Sequence, residues 1–168
     1  MTAPLTPDDL EAYLAENSID AEIVRLKAHT PTVETAAEVV RVSPDQIVKS
    51  LLFLIDMPEG ERREVLVIAS GTGKIDRRLL GKHFGVSRRK TVFADADTVQ
   101  DLTGYPVGAV PPIGHRQPLE VLVDPDVLRH KVVYGGGGSD RALMRLNPQD
   151  ILRHNRAEVV AVQRSAEE

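Results

Sequence analysis

The sequence predicts a mixed α/β protein of the α+β kind, built on a curved mixed sheet. Three observations carry this. Helical and strand-like segments are interleaved along the 168 residues. Several successive strands lack a helical crossover, which excludes a clean doubly wound parallel sheet. Apolar residues make up 42% of the chain and charged residues 27%, the balance of a protein with a sizeable core. One domain spanning residues 1–168 is expected, with neither an internal repeat nor a linker.

The elements follow in order. Thr6-Pro7-Asp8-Asp9 starts a helix, with Thr as N-cap, Pro at the first position and acids in the first turn; it should run to about Glu16. Residues 21–28 alternate as a half-exposed strand, and 29–32 form a loop. A short helix is expected over 34–40, then a turn at Ser43-Pro44-Asp45. Ile47 to Ile55 reads as a strand buried on both faces, and 64–70 as its hairpin partner across the turn at 58–61. A helix over 75–84 ends at Gly85, and a further one, capped by Asp95 or Asp97, ends at Gly104. Residues 105–115, Tyr-Pro-Val-Gly-Ala-Val-Pro-Pro-Ile-Gly-His, are rich in Pro and Gly yet too apolar for a disordered linker. Strands follow at 119–123, 131–134 and 142–146. A helix capped by Asn147 runs to about His154, and a last strand covers 158–162.

Composition removes several function classes. The chain has no cysteine, so disulfides, thiolate nucleophiles and cysteine metal sites are absent. The five histidines have no metal-ligand spacing, and neither a metal nor a cofactor is expected. No apolar run is long enough to span a membrane, and the N-terminus does not read as a secretory leader, so a cytoplasmic protein is expected. The net charge of −4 argues against broad coating of nucleic acid. The charge is uneven, however. Residues 74–90 hold seven cations against Asp76 alone, a local +6 on a body of −10. That patch suits contact with a small part of a polyanion; a solvated helix face is the plainer reading.

Standard catalytic signatures fail when tested. Gly71-Thr-Gly-Lys74 is not a phosphate-binding loop, because Ile68 stands where its first glycine belongs and Ile75 where Ser or Thr would hold magnesium. No serine sits in a G-x-S-x-G elbow. Gly135 to Gly138 offers a backbone anion nest or a flexible surface loop. Two features remain. Lys49 interrupts an apolar strand, where an unpaired buried ammonium costs several kcal/mol. It must snorkel to water, find a partner or serve a pocket. The segment Gly108-Ala-Val-Pro-Pro112-Ile-Gly114 is either a structural turn or a rigid loop whose N–H groups could hold a developing oxyanion.

In order and spacing these segments resemble the YbaK and prolyl-tRNA-editing deacylase family. The resembling residues are Thr35-Ala36-Ala37, Gln46-Ile47-Val48-Lys49-Ser50-Leu51, Gly73-Lys74-Ile75-Asp76, Thr103 through Gly114, and Leu146-Asn147-Pro148-Gln149-Asp150-Ile151. The likeness covers about residues 20–160, and Gly-Tyr-Pro-Val-Gly with the G-x-x-x-P of Gly108 to Pro112 is its most specific part. It implies a barrel-like body with flanking helices. It also implies hydrolysis, in trans, of the ester of a mischarged tRNA, foremost a mischarged tRNA(Pro), without metal, cofactor or protein nucleophile. Lys49 and Gly108 match the family's catalytic positions. His29, Thr30, Phe53, Ala109, Pro112, Gly114 and Asp140 are the expected substrate contacts. The partners implied are the tRNA acceptor end and an aminoacyl-tRNA synthetase; the number of subunits is left open. Val42, where relatives often carry Gly, and the loop Gly138-Ser139-Asp140-Arg141 depart from the pattern and leave the amino acid open. Two other readings stand beside this one: a non-catalytic module that binds RNA ends or protein on the same fold, and a hydrolase of another small ester.

Overall fold

The computed structural model describes residues 3–164; the outermost positions of the expected 1–168 domain lie outside them. Helix α1 (Pro7–Glu16) begins where Thr6 and Asp9 cap each other reciprocally, Thr6 accepting from Asp9 N–H. Strand β1 (Glu22–Arg25) is shorter than the alternation suggests. Thr32 and Thr35 form a second capping box at the start of α2 (Val33–Val40). A single 3-10 turn (Pro44–Gln46) leads into β2 (Val48–Asp56), which pairs with β3 (Arg62–Ser70) in the expected hairpin.

A two-residue strand, β4 (Lys74–Ile75), precedes α3 (Arg77–Phe84). Asp76 caps α3 through Arg78 and Leu79 N–H, and Gly85 closes it in the left-handed region at φ +73°. Next comes β5 (Thr91–Phe93), which sequence reading did not anticipate. Three residues are too few to show alternation. Helix α4 (Ala96–Thr103) is capped by Asp95 and ends at Gly104. Strands β6 (Glu120–Val123), β7 (Val133–Gly136) and β8 (Ala142–Leu146), helix α5 (Pro148–Asn155), and short strands β9 (Glu158–Val159) and β10 (Gln163–Arg164) complete the chain.

The strands form a five-stranded mixed sheet in the order β5-β2-β3-β6-β9, a three-stranded sheet β1-β8-β7, and the pair β10-β4. The mixed α/β class is as expected, but among the described residues the ladders do not close into a barrel. A parallel bridge from Ile47 to Tyr134 joins the two larger sheets at one end of β2. The large sheet is covered on both faces. Val48, Leu52, Leu66, Ile68, Val121 and Val123 point into one apolar cluster with Leu10, Leu14, Val99 and Ile151 of the helices. Phe53, Ile55, Val65, Val67 and Leu122 point the other way, against Leu80 and Phe84 of α3.

One buried carboxylate locks the C-terminal crossing. Asp124, 2% exposed, accepts from Val162, Gln163 and Asp126 N–H at 2.8–2.9 Å. Asp124→Ala leaves buried N–H groups without acceptors, at a cost of about 3 kcal/mol. Urea unfolding should show a lower midpoint for that variant and a smaller drop for Asp124→Asn, which keeps an acceptor oxygen. Equal midpoints for Asp124→Ala and the parent would refute the lock.

Candidate active site

Strand β2 lacks a continuous neighbour on one edge. β5 pairs with it only at Phe53–Ile55, and β7 forms a single bridge at Ile47, immediately before it. Between those two contacts the edge of Lys49 to Leu51 is open, and a cleft of about 300 Å³ occupies the gap. Its walls include Val33 and Ala36 of α2, Phe93 and Ala94 at the end of β5, Val107, Gly108 and Val110 of the Pro/Gly loop, and Gly135 and Gly136 of β7. This explains a departure from the expected strand. The Lys49 run is not buried on both faces throughout; Lys49, Ser50 and Leu51 are only partly covered because the cleft borders them.

Lys49 lines the cleft and its Nζ donates to the Gly73 carbonyl at 3.0 Å. Desolvation holds its pKa below the ordinary 10.5, and the nearby charge of Lys74 adds to the effect. The ammonium is therefore neither fully snorkelled nor paired with an acid.

Gly108 lines the same cleft. It is the third residue of a turn closed by Ala109 N–H donating to Pro106 C=O at 3.0 Å, and its φ of +88° is the left-handed region that such a turn requires. The turn's bond leaves the Gly108 N–H outside it. The loop is held firmly. His115 Nε2 lies 2.7 Å from Pro111 C=O, and Asn155 Nδ2 donates to Pro112 C=O at 2.7 Å. Burial pushes the His115 pKa down to about 4, so its ring is neutral and donates to that carbonyl. Across the loop, Gly138 N–H donates to Ala109 C=O at 3.0 Å. The glycine run at 135–138 is thus not a flexible surface loop: Gly135 and Gly136 belong to β7 and let the Pro/Gly loop lie directly against it.

The remaining expected contacts divide. Thr30 and Asp140 line the cleft. His29 and Ala109 do not; they line a neighbouring chamber of about 560 Å³, which shares Thr30, Pro31, Val107, Gly108, Ser139 and Asp140 with the first. His29 Nε2 lies 3.9 Å from Asp140 Oδ2, which makes that acid part of the chamber wall. Phe53 is a correction. It is fully buried, because alternation places it beneath β5 in the α3-side core. Pro112 and Gly114 line neither cavity. A Cβ on Gly135 would lie 2.7 Å from Pro112, and one on Gly114 would lie 2.7 Å from Leu10, so both positions serve packing.

Sequence reasoning left the place of Ser50 open and missed Val107 and Phe93. Ser50 lines the cleft, and its Oγ is shielded from solvent without a hydrogen-bond partner. Leu52 C=O accepts from Ala94 N–H on the β5 side. Residues two apart in a strand present their N–H and C=O to the same edge, so the single N–H and C=O of Ser50 are directed to the open edge. Val107 and Phe93, 60% and 57% exposed, stand on the cleft walls. The signal for Val107 was its place beside Gly108; Phe93 had none, since its strand was not seen.

A cleft bordered by Lys49, by the backbone of two elements and by mostly apolar walls can bind an ester and stabilise charge on its carbonyl oxygen. Among the described residues no cluster of His, Cys, Asp or Glu could hold a metal ion, and no helix is long and apolar enough to cross a membrane.

Comparison with known proteins agrees with this chemistry. Residues 27–154 match the model of the aminoacyl-tRNA editing domain. The chain is 31% identical over 130 residues to the uncharacterized protein YwhH of Bacillus subtilis (strain 168), covering 77% of this chain and 78% of that one. It is 26% identical over 164 residues to the multifunctional Ser/Thr-tRNA deacylase ProXp-y of Escherichia coli (strain K12), covering 96% and 95%. To the proline–tRNA ligase of Lactobacillus gasseri it is 30% identical over 125 residues, 72% of this chain but 21% of that one. A solved structure named as a candidate trans-editing enzyme for prolyl tRNA synthetase superposes with TM-score 0.84 at 30% identity, covering 98% and 100% of the two chains. The chain belongs to the aminoacyl-tRNA editing domain family and is an aminoacyl-tRNA deacylase.

Proposed function

We propose that the β2-edge cleft removes a small, wrongly attached amino acid from tRNA(Pro), acting in trans as one editing domain over residues 1–168. The observation that carries this is the meeting of Lys49 and Gly108 in one cleft, although 59 positions separate them in sequence. Water is the nucleophile. An aminoacyl ester is already labile, so orientation and oxyanion stabilisation suffice for rate acceleration.

In this reading the ester carbonyl sits against the Gly108 turn, whose free N–H takes the developing negative charge. Lys49 contacts the esterified nucleotide or the amino-acid end. The wall of Val33, Ala36, Val99 and Val110 limits the side chain to a small one. The Ser50 hydroxyl becomes accessible by a change of χ1 rotamer and offers a partner to a polar side chain. Thr30 and Asp140 stand where the two chambers join, suited to the α-amino group. The relatives named above support tRNA(Pro) and small hydroxyl amino acids as the substrates to test first. A synthetase that releases the mischarged tRNA is the proposed protein partner, and the cytoplasm the proposed compartment.

The decisive assay charges tRNA(Pro) with alanine, cysteine, serine, threonine or proline and follows release of each amino acid. The expected result is hydrolysis of at least one small non-cognate ester well above the enzyme-free rate, with prolyl-tRNA(Pro) spared. If none of the four non-cognate esters is cleaved above background, the tRNA(Pro) assignment fails.

A further inference from the structure

The cleft explains Lys49 and Gly108 but leaves Phe93 without a role. Phe93 ends β5 and is 57% exposed on the cleft wall. A single exposed apolar side chain is ordinary; this one is set apart by its support and its surroundings. Its ring centroid lies 4.5 Å from that of Phe53, with the rings tilted 35°. Phe53 is fully buried, so one side of the Phe93 ring is backed by the core while the rest faces water.

The cross-strand register pairs Phe93 with Phe53, which places its ring on the same sheet face as Leu51 and Lys49. Cations stand towards both ends of β2, Lys90 near Asp56 and Lys74 near Lys49. Arg88, Arg89 and Lys90 form an exposed 3-10 turn immediately before β5. Exposed Lys74 lies close enough to Lys49 to lower its pKa. Arg77 is already committed: its Nε donates to Thr91 C=O at 2.9 Å and to Thr91 Oγ1 at 3.2 Å, bracing the start of β5. The distance from Lys90 to Phe93 is about 10 Å of extended chain.

We propose that Phe93 is the stacking platform for the terminal nucleobase of the RNA, with the Arg88–Lys90 turn holding the phosphates that precede it. A supported aromatic face beside a cationic turn is how single-stranded nucleic acid is held without sequence readout. The ribose of the terminal nucleotide carries the ester, so a ribose at the cleft places its base at the mouth. This deepens the deacylase reading and rests on it. It also assigns the basic segment to the unpaired RNA end rather than to a solvated helix face.

The test uses an unreactive probe, a short RNA ending in CCA with alanine joined to the terminal ribose by an amide, and a matching probe whose terminal nucleotide is abasic. Binding is followed by fluorescence anisotropy. Phe93→Ala should weaken the adenine-ended probe roughly 10- to 100-fold and leave the abasic probe unaffected; Phe93→Trp should restore the loss. Phe93→Leu keeps an apolar cover over Phe53 and should still lose the adenine-ended probe, which separates stacking from packing. Equal loss for both probes, or full binding by Phe93→Leu, would overturn the proposal. Because the probes are not cleaved, these outcomes stand whether or not mischarged tRNA(Pro) is the substrate.

Discussion

Lys49→Ala should lower deacylation of mischarged tRNA by about 10²- to 10³-fold while the protein stays folded. The size follows from what one preorganised polar group contributes when it meets charge at a reacting centre in a site shielded from water. The structural cost is small by comparison. Lys49 loses one hydrogen bond, from Nζ to Gly73 C=O, worth about 1 kcal/mol. Removing a half-desolvated ammonium recovers part of that. The melting temperature should therefore move by no more than about 4 °C. Undiminished turnover by a folded Lys49→Ala protein would remove the lysine from the mechanism.

The same residue sets a pH signature. The protonated lysine is the form that meets the substrate, and burial first, then Lys74, lower its pKa. The enzymatic rate, corrected for base hydrolysis of the ester, should fall as pH rises through a value below the ordinary lysine 10.5. Lys74→Gln removes the second cause and should move that fall to higher pH. Stability runs the other way. The unfolded chain holds this proton more tightly than the folded one, so the group's contribution to stability rises with pH across that window.

Much of the scaffold was legible in residue chemistry. Thr6-Pro7 and Asn147-Pro148 fixed the starts of α1 and α5, and Gly85 and Gly104 marked the ends of α3 and α4, because caps are written in a few adjacent residues. Lys49 was visible as a charge inside an apolar strand. The cleft was not, because it is a gap between two neighbours of β2, and pairing partners leave little trace in a single strand's pattern. Phe53 was misplaced for that reason: only the register with Phe93 shows which aromatic ring is core and which faces the cleft. The glycine run at 135–138 was misread because close approach to Val110 and Pro112 is a property of two distant segments.

Two glycine substitutions should separate loop geometry from loop packing. A Cβ at Gly136 would lie 2.4 Å from Val110 O and 2.8 Å from Ala109 C and O, all backbone atoms that cannot rotate aside. Gly136→Ala therefore pushes the Pro/Gly loop away from β7, and the loop's link through Gly138 to Ala109 moves with it. About 3 kcal/mol of stability should be lost, seen as a drop of about 6–12 °C in melting temperature, and deacylation should fall with the displaced Gly108 turn. A Cβ at Gly108 meets nothing within 4 Å, so the penalty there is conformational alone. Holding an L-residue at φ +88° costs about 1–2 kcal/mol, and the turn relieves it by rotating the peptide that carries the N–H. Gly108→Ala should then lose about 10- to 100-fold in kcat with little change in KM, because only the interaction made in the transition state is misaligned. Circular dichroism and steady-state kinetics on the two variants decide the matter. A folded Gly108→Ala protein with parental kcat would move the oxyanion contact away from this turn and leave the Ser50 N–H, at the open edge of β2, as its remaining donor.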